Sequence, residues 1–314
     1  MNAVVEIVAP IFAIVLLSFV LARAGVFSPA ASDGLTRFMF YVAIPAMLFR
    51  TLATTEFPVA IPWKYMFAFY GPSFAVFATG ILISRYIFLW DRADQGIAAI
   101  CGSYSNMVML GFPLVIAAFG DTAAVPLFIL LALQSTLIFP ATTWVIEIYA
   151  RDPAGTSSSV LQSLARLFLN PVILSLVLGV GFNLASLEIS GPADRVLGSL
   201  AAAAPSVALF ALGLGLAQYK FRGELESSIT LTLLKCIVHP ILVWVACWML
   251  NIELLWTQVA VILAAMPTGI NAFIFAHKYG TRVSIVTKSI LLGTLFSILS
   301  VSLLLKYFLS GGVS

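Results

Sequence analysis

Hydrophobic positions along this chain neither alternate with polar ones nor keep to one helical face. They run on for roughly the 20 residues a helix needs to cross a bilayer, pause at short polar stretches, and resume. Ten such runs are legible, near residues 4–22, 35–52, 63–89, 95–119, 122–149, 167–187, 195–217, 228–250, 255–278 and 284–309. The pattern predicts an all-α integral membrane protein with ten transmembrane helices. Outer-membrane strands would instead alternate in segments of about 10 residues, which is not seen.

Composition agrees. Of 314 residues, 61% are hydrophobic and 9% charged, against roughly 45–50% and 25% in soluble domains. The net charge of +3 is scattered, and no basic cluster argues for nucleic acid. Its placement is more informative. "MNAVVE" has no positively charged start and Arg23 follows the first apolar run, which favours a retained span with the N-terminus outside over a cleaved signal. Odd-numbered loops and their flanks then carry Arg23, Arg37, Arg85, Arg92, Arg151, Arg166, Lys220, Arg222, Lys278 and Arg282. The even loops and C-terminus carry Arg50, Lys64, Arg195 and Lys306. By the positive-inside rule the odd loops are expected in the cytoplasm, with both termini outside a cell inner (plasma) membrane. Cys101, Cys236 and Cys247 all fall inside predicted spans and read as small packing residues, not as a disulfide or metal framework. Nothing in the sequence calls for a cofactor.

Polar punctuation divides the chain in two. The most hydrophilic stretch, residues 151–159 (RDPAGTSSS), sits at the midpoint as a cytoplasmic linker between five spans in 1–150 and five in 160–314. Pro10, Asp33 and Pro45 are spaced by 23 and 12 residues; Pro171, Asp194 and Pro205 by 23 and 11. A repeat with an odd number of spans must re-enter the membrane inverted, the 5+5 arrangement of many secondary transporters.

The fourth span of each half is interrupted: "CGSYSNMVMLGFPLV" contains Gly111 and Pro113, and "AAMPTGINAFIFA" contains Pro267 and Gly269. Proline removes a helical hydrogen bond and glycine eases unwinding. In lipid the freed backbone groups need partners, so opened helices belong around a protein-lined cavity, where a helix N-terminus suits a carboxylate. Asn106 and Asn271 add amide donors, with Ser103, Ser105 and Thr268 nearby. These residues make a candidate site for a small organic anion. Equally, such residues often only join membrane helices together.

At these residues the chain resembles the auxin efflux carrier family, which includes plant PIN-type exporters and bacterial malonate and malate carriers. The family pattern Asn-x-x-x-x-Gly-x-Pro-Leu is matched by Asn106, Gly111, Pro113 and Leu114, and its ninth-span motif is similar to "MPTGINAFIFAHKY" (266–279). "YVAIPAMLF" (41–49), "KCIVHP" (235–240), and Gln134 followed thirteen residues later by Glu147 also look like family segments. The resemblance implies a PIN-like elevator carrier, similar to sodium/proton antiporters and bile-acid symporters in fold, with crossing helices 4 and 9. Helices 1, 2, 6 and 7 would form a scaffold and homodimer surface, and helices 3–5 and 8–10 would move. Asn106 would bind the anion and Gln134 line the pocket. Ser105 and Ala272 stand where PIN-type members have proline at the crossing, and Leu48 where plant exporters have a pocket serine. Their third-span Asp and Lys have no counterpart in "AFYGPSFAV" (68–76), which points away from auxin toward a small aliphatic carboxylate.

Charges within spans are few, and such groups are candidates for coupling to H+ or Na+. His239 lies mid-span with Lys235 one turn away, as proton-linked or charge-balancing residues; a packing histidine and a snorkelling lysine are the plainer alternatives. Glu6, Glu147 and Lys288 fall near span ends, where an interfacial place is expected. A sodium-coupled bile-acid-type symporter is the alternative carrier. An intramembrane enzyme is disfavoured by the absence of HExxH, GxSxG or a mid-span aspartate pair, and a ligand sensor by the absence of an appended soluble domain.

Overall fold

A computed structural model of the chain describes residues 2–54, 62–149, 171–218 and 225–310. The predicted linker at 151–159 lies outside the described residues, as do Arg151, Arg166, Lys220, Arg222 and the side chains of Glu147 and Lys278. Among the described residues the regular structure is helical, with no strand longer than one isolated bridge.

We number the helices α1 (Asn2–Arg23), α2 (Pro29–Thr54), α3 (Trp63–Tyr86), α4a (Arg92–Ser103), α4b (Met107–Phe119), α5 (Ala124–Tyr149), α6 (Pro171–Leu184), α7 (Gly191–Ala217), α8 (Leu225–Met249), α9a (Leu254–Ala265), α9b (Ile270–Lys278) and α10 (Val283–Leu309). Seven stretches are long and apolar enough to cross a membrane; Met107–Phe119, Leu174–Leu184 and Leu254–Ala265 are shorter apolar helices.

Three helices widen into a π-turn at a predictable place. The turns Met39–Ala43, Met107–Gly111 and Leu234–Val238 each end two residues before a proline: Pro45, Pro113 and Pro240. A proline offers no N–H to the carbonyl four residues back, and its ring presses on that carbonyl; widening the preceding turn relieves the clash without breaking the helix. Pro113 therefore widens the start of α4b and does not open the chain, which corrects the expectation placed on it.

Between helices in lipid there is little hydrophobic drive, so close van der Waals contact holds them together. α1 packs along α7, and the C-terminal half of α2 along α6 and α7. α3 packs on α4a and α8, α5 on α4a and α9a, and α8 on α9a and α10. The two groups meet where α4b touches α1 and α7, and where α1 touches α10. The C-terminal halves of α4a and α9a are fully buried, from Ala98 to Cys101 and from Val259 through Ala265 to the cap residue Met266. That burial sets both interrupted helices at the centre of the protein.

Several span ends differ from expectation, with consequences for their charges. α2 begins at Pro29, not near 35, because Ser28 caps it: its Oγ accepts from Ala31 N at 3.2 Å and Pro29 is pre-set for a first helical turn. Arg37 is therefore inside the helix and not a loop charge. α7 starts at Gly191, so Asp194 lies in its first turn and pairs with Arg50 of α2 at 2.7 Å. Lys288, expected at an interface, is buried in α10; Glu6 is exposed.

Candidate functional site

α4a ends at Ser103 and α9a at Ala265, after which each chain runs extended before the next half-helix starts. The two extended pieces cross antiparallel, pairing Ser105 with Thr268. Asn106 N donates to Pro267 O and Gly269 N to Tyr104 O, both at 2.9 Å. Each break thus satisfies backbone groups that the other sets free, where lipid could not.

Side chains complete the crossing. Gln134 of α5 accepts from Ser105 N at 3.0 Å and donates to Ser105 O at 2.9 Å. Thr268 Oγ1 donates to Cys101 O in the last turn of α4a at 2.7 Å, satisfying a terminal carbonyl. Asn106 caps α4b, its Oδ1 accepting from Met109 N at 3.3 Å. Because the oxygen is used in the cap, the amide nitrogen points away from it. Asn106 Nδ2 is buried with no hydrogen-bond partner, as is Ser105 Oγ. At Gly269 a Cβ would lie 2.7 Å from the Tyr104 ring, so only glycine lets the strands approach this closely. Gly111 serves packing: a Cβ there would meet Leu263 of α9a at 2.9 Å.

Beside the crossing lies a cavity of about 370 Å³. Tyr104, Val108, Gln134, Ser135, Phe139 and Asn271 line one side. Thr36, Arg37, Phe40 and Tyr41 of α2, with Pro171 and Val172 of α6, line the other. Asn271 Nδ2 donates to Tyr104 Oη at 2.8 Å, and Tyr104 shares a hydrogen bond with Ser135 Oγ at 2.9 Å. The Tyr104 ring stacks on Phe139, centroids 5.2 Å apart. The described lining carries one cation, Arg37, and no carboxylate.

Of the residues singled out in the sequence, Gln134 and Asn271 face the cavity. Ser105, Asn106 and Thr268 form the crossing just behind it. Ser103 bonds back to Ala99 O at 2.8 Å and joins neither. Pro267 lies in the ninth-helix break itself, and Gly269 caps α9b. Ala272, expected at the crossing, is in the first turn of α9b; the partner of Ser105 is Thr268. Leu48 is buried away from the cavity lining.

Lys235 does not snorkel. It is fully buried, with Nζ donating to Ala264 O near the end of α9a and lying 3.1 Å from His239 Nδ1. His239 Nε2 lies 2.9 Å from Ser73 Oγ of α3, whose hydroxyl also reaches Phe69 O at 2.8 Å. The Lys235 amino group therefore sits against the carbonyl end of a half-helix. All three cysteines are buried free thiols. No group of three potential metal ligands is found among the described residues.

Sequence reasoning passed over Tyr104, Ser135 and Arg37. Tyr104 and Ser135 each adjoin a residue it chose, and the aromatic body with a polar tip at a predicted break was the available signal. Arg37 carried the opposite signal, because a helix start placed too late made it look like a flanking charge.

A family model described as "Membrane transport protein" matches residues 3–160 and 151–305. The chain is similar to the "Putative malonate transporter" of Rhizobium meliloti, 27% identical over 314 residues covering 100% of this chain and 98% of the other. It is also similar to the "Uncharacterized transporter YfdV" of Escherichia coli, at 26% over 91% of each chain. "Auxin efflux carrier component 8" of Arabidopsis thaliana is 22% identical over 94% of each. With apolar helices throughout and the family matched over both halves, the chain is a membrane transporter that belongs to the membrane transport protein family, that of the auxin efflux carriers.

Proposed function

We propose that this protein is a secondary carrier for small organic anions, carboxylates and dicarboxylates among them, working by elevator-type alternating access with the anion at the crossing of α4 and α9. The observation that carries the reading is the Asn106 amide. It is a buried N–H donor held at a helix break with its oxygen already used in the cap, and an unmet buried donor costs about 1–3 kcal/mol until an acceptor arrives. A carboxylate is such an acceptor, and the start of α4b adds a partial positive charge.

In this reading the ten helices form a 5+5 inverted repeat. α1, α2, α6 and α7, which pack chiefly on one another, are the scaffold and the homodimer surface; α3–α5 and α8–α10 carry the site across. The similarity to a protein named as a malonate transporter favours a short aliphatic acid. Lys235 balances the end of α9a, where sodium-coupled carriers of related architecture use a bound cation.

The test is thermal denaturation of the purified protein with acetate, malonate, succinate and larger carboxylates, with and without sodium. A ligand at 100 times its Kd stabilises the native state by about 2.7 kcal/mol, so the true substrate raises Tm by several degrees. If no carboxylate raises it, and none is taken up by proteoliposomes, the reading is wrong.

A further inference from the structure

The cavity is lined from two groups of helices, and its single described cation is on the group that does not contribute the crossing. Arg37 lies on α2, which packs on α6 and α7; Tyr104, Gln134, Ser135 and Asn271 lie on α4, α5 and α9. The lining residues of α2 and α6 come from the N-terminal halves of those helices, so the cavity faces the end of the molecule where α2 begins. No carboxylate pairs with Arg37 among the described residues. A guanidinium presents a rigid fork of N–H donors that matches a carboxylate, and it keeps its charge at any working pH.

We infer that Arg37 is a side-specific specificity residue: it holds the anion's carboxylate while the cavity faces the end where α2 begins, and loses that contact once the crossing helices have moved to the opposite face. This rests on the elevator reading above. If α2 stays and α4, α5 and α9 move, the amide and hydroxyl contacts travel with the anion and the guanidinium contact does not. The anion is then bound more tightly on one face, and the departing contact must be broken on every passage. Arg37 also raises the local concentration of anions at one entrance only. Thr36 and Tyr41 flank it on α2 with hydroxyl groups that could share the same carboxylate on that face.

The experiment uses full-length protein in proteoliposomes of defined orientation, with radiolabelled malonate as probe. Arg37→Gln should raise the half-saturating concentration about 10- to 100-fold from the face where α2 begins, the worth of a charge-assisted hydrogen bond. From the opposite face it should change by no more than about twofold, within the scatter of uncoupled substitutions. Arg37→Lys, which keeps the charge without the fork, should show the same asymmetry at smaller amplitude, and it carries the test if Arg37→Gln does not fold. An equal rise from both faces, or no rise from either, overturns the inference while leaving the carrier reading intact. Wild-type protein that moves neither malonate, succinate nor acetate overturns both.

Discussion

Gln134 holds Ser105 by both of its backbone groups, accepting from the amide at 3.0 Å and donating to the carbonyl at 2.9 Å. One side chain thereby acts as a third strand beside the antiparallel crossing of Ser105 and Thr268. An amide can do this because it carries a donor and an acceptor on one planar group, which neither a carboxylate nor an amine does.

Gln134→Ala should therefore strand two buried backbone groups, each costing about 1–3 kcal/mol, and lower Tm clearly. Gln134→Glu keeps the shape but cannot donate to Ser105 O while ionised. Both should abolish carboxylate uptake, and the alanine variant should be the less stable in a melting curve of detergent-purified protein. A Gln134→Ala protein with wild-type Tm would show that this contact does not hold the crossing.

Asn106 separates capping from recognition. Asn106→Asp retains an oxygen for Met109 N but replaces the amide donor with negative charge. It should keep the cap, lose stability through its buried unpaired charge, and fail to take up anions. Asn106→Ala loses the cap as well, at a cost of about 0.5–2 kcal/mol, so it should be both inactive and less stable. Uptake by the aspartate variant at the wild-type rate would remove this amide from substrate binding.

Gly269→Ala tests the closeness of the crossing. The added methyl would lie 2.7 Å from the Tyr104 ring and 3.1 Å from Ser105 O. Tyr104 cannot easily yield, being tied to Asn271, Ser135 and Phe139. Overpacking of this kind costs about 1–3 kcal/mol, so Tm should fall and uptake should drop sharply. Gly34→Ala, at an open position on α2, should leave both unchanged and serves as the control.

Replacing sodium by potassium should leave uptake unaltered. In the reading proposed above, Lys235 Nζ, which donates to Ala264 O at the end of α9a, takes the place of a coupling cation. Lys235→Met should destabilise the protein by leaving that carbonyl and His239 Nδ1 without this partner, and measuring its uptake across sodium concentrations checks whether a sodium requirement emerges. Strict sodium dependence of the wild-type protein would contradict the charge-balancing role.

The sequence by itself determined the class and which two helices are broken. Uninterrupted apolar runs can be satisfied only by helices in lipid, and Gly and Pro residues at 111, 113, 267 and 269 drew attention to the two helices that lose their regularity. Periodicity cannot say which residue of an interrupted segment leaves the helix. Pro113 proved compatible with a widened turn, so the opening falls earlier, at Tyr104 to Asn106. Only the tertiary structure decided that Thr268 and not Ala272 meets Ser105, because that pairing depends on how two distant segments satisfy one another's backbone. It likewise turned Lys235 inward, since the carbonyl that accepts its hydrogen bond belongs to a helix 29 residues away. Arg37 shows the same limit: charge and position along the chain describe a loop residue, and the cap at Ser28, with α6 packed beside α2 and α9b across the cavity, makes it part of a cavity wall.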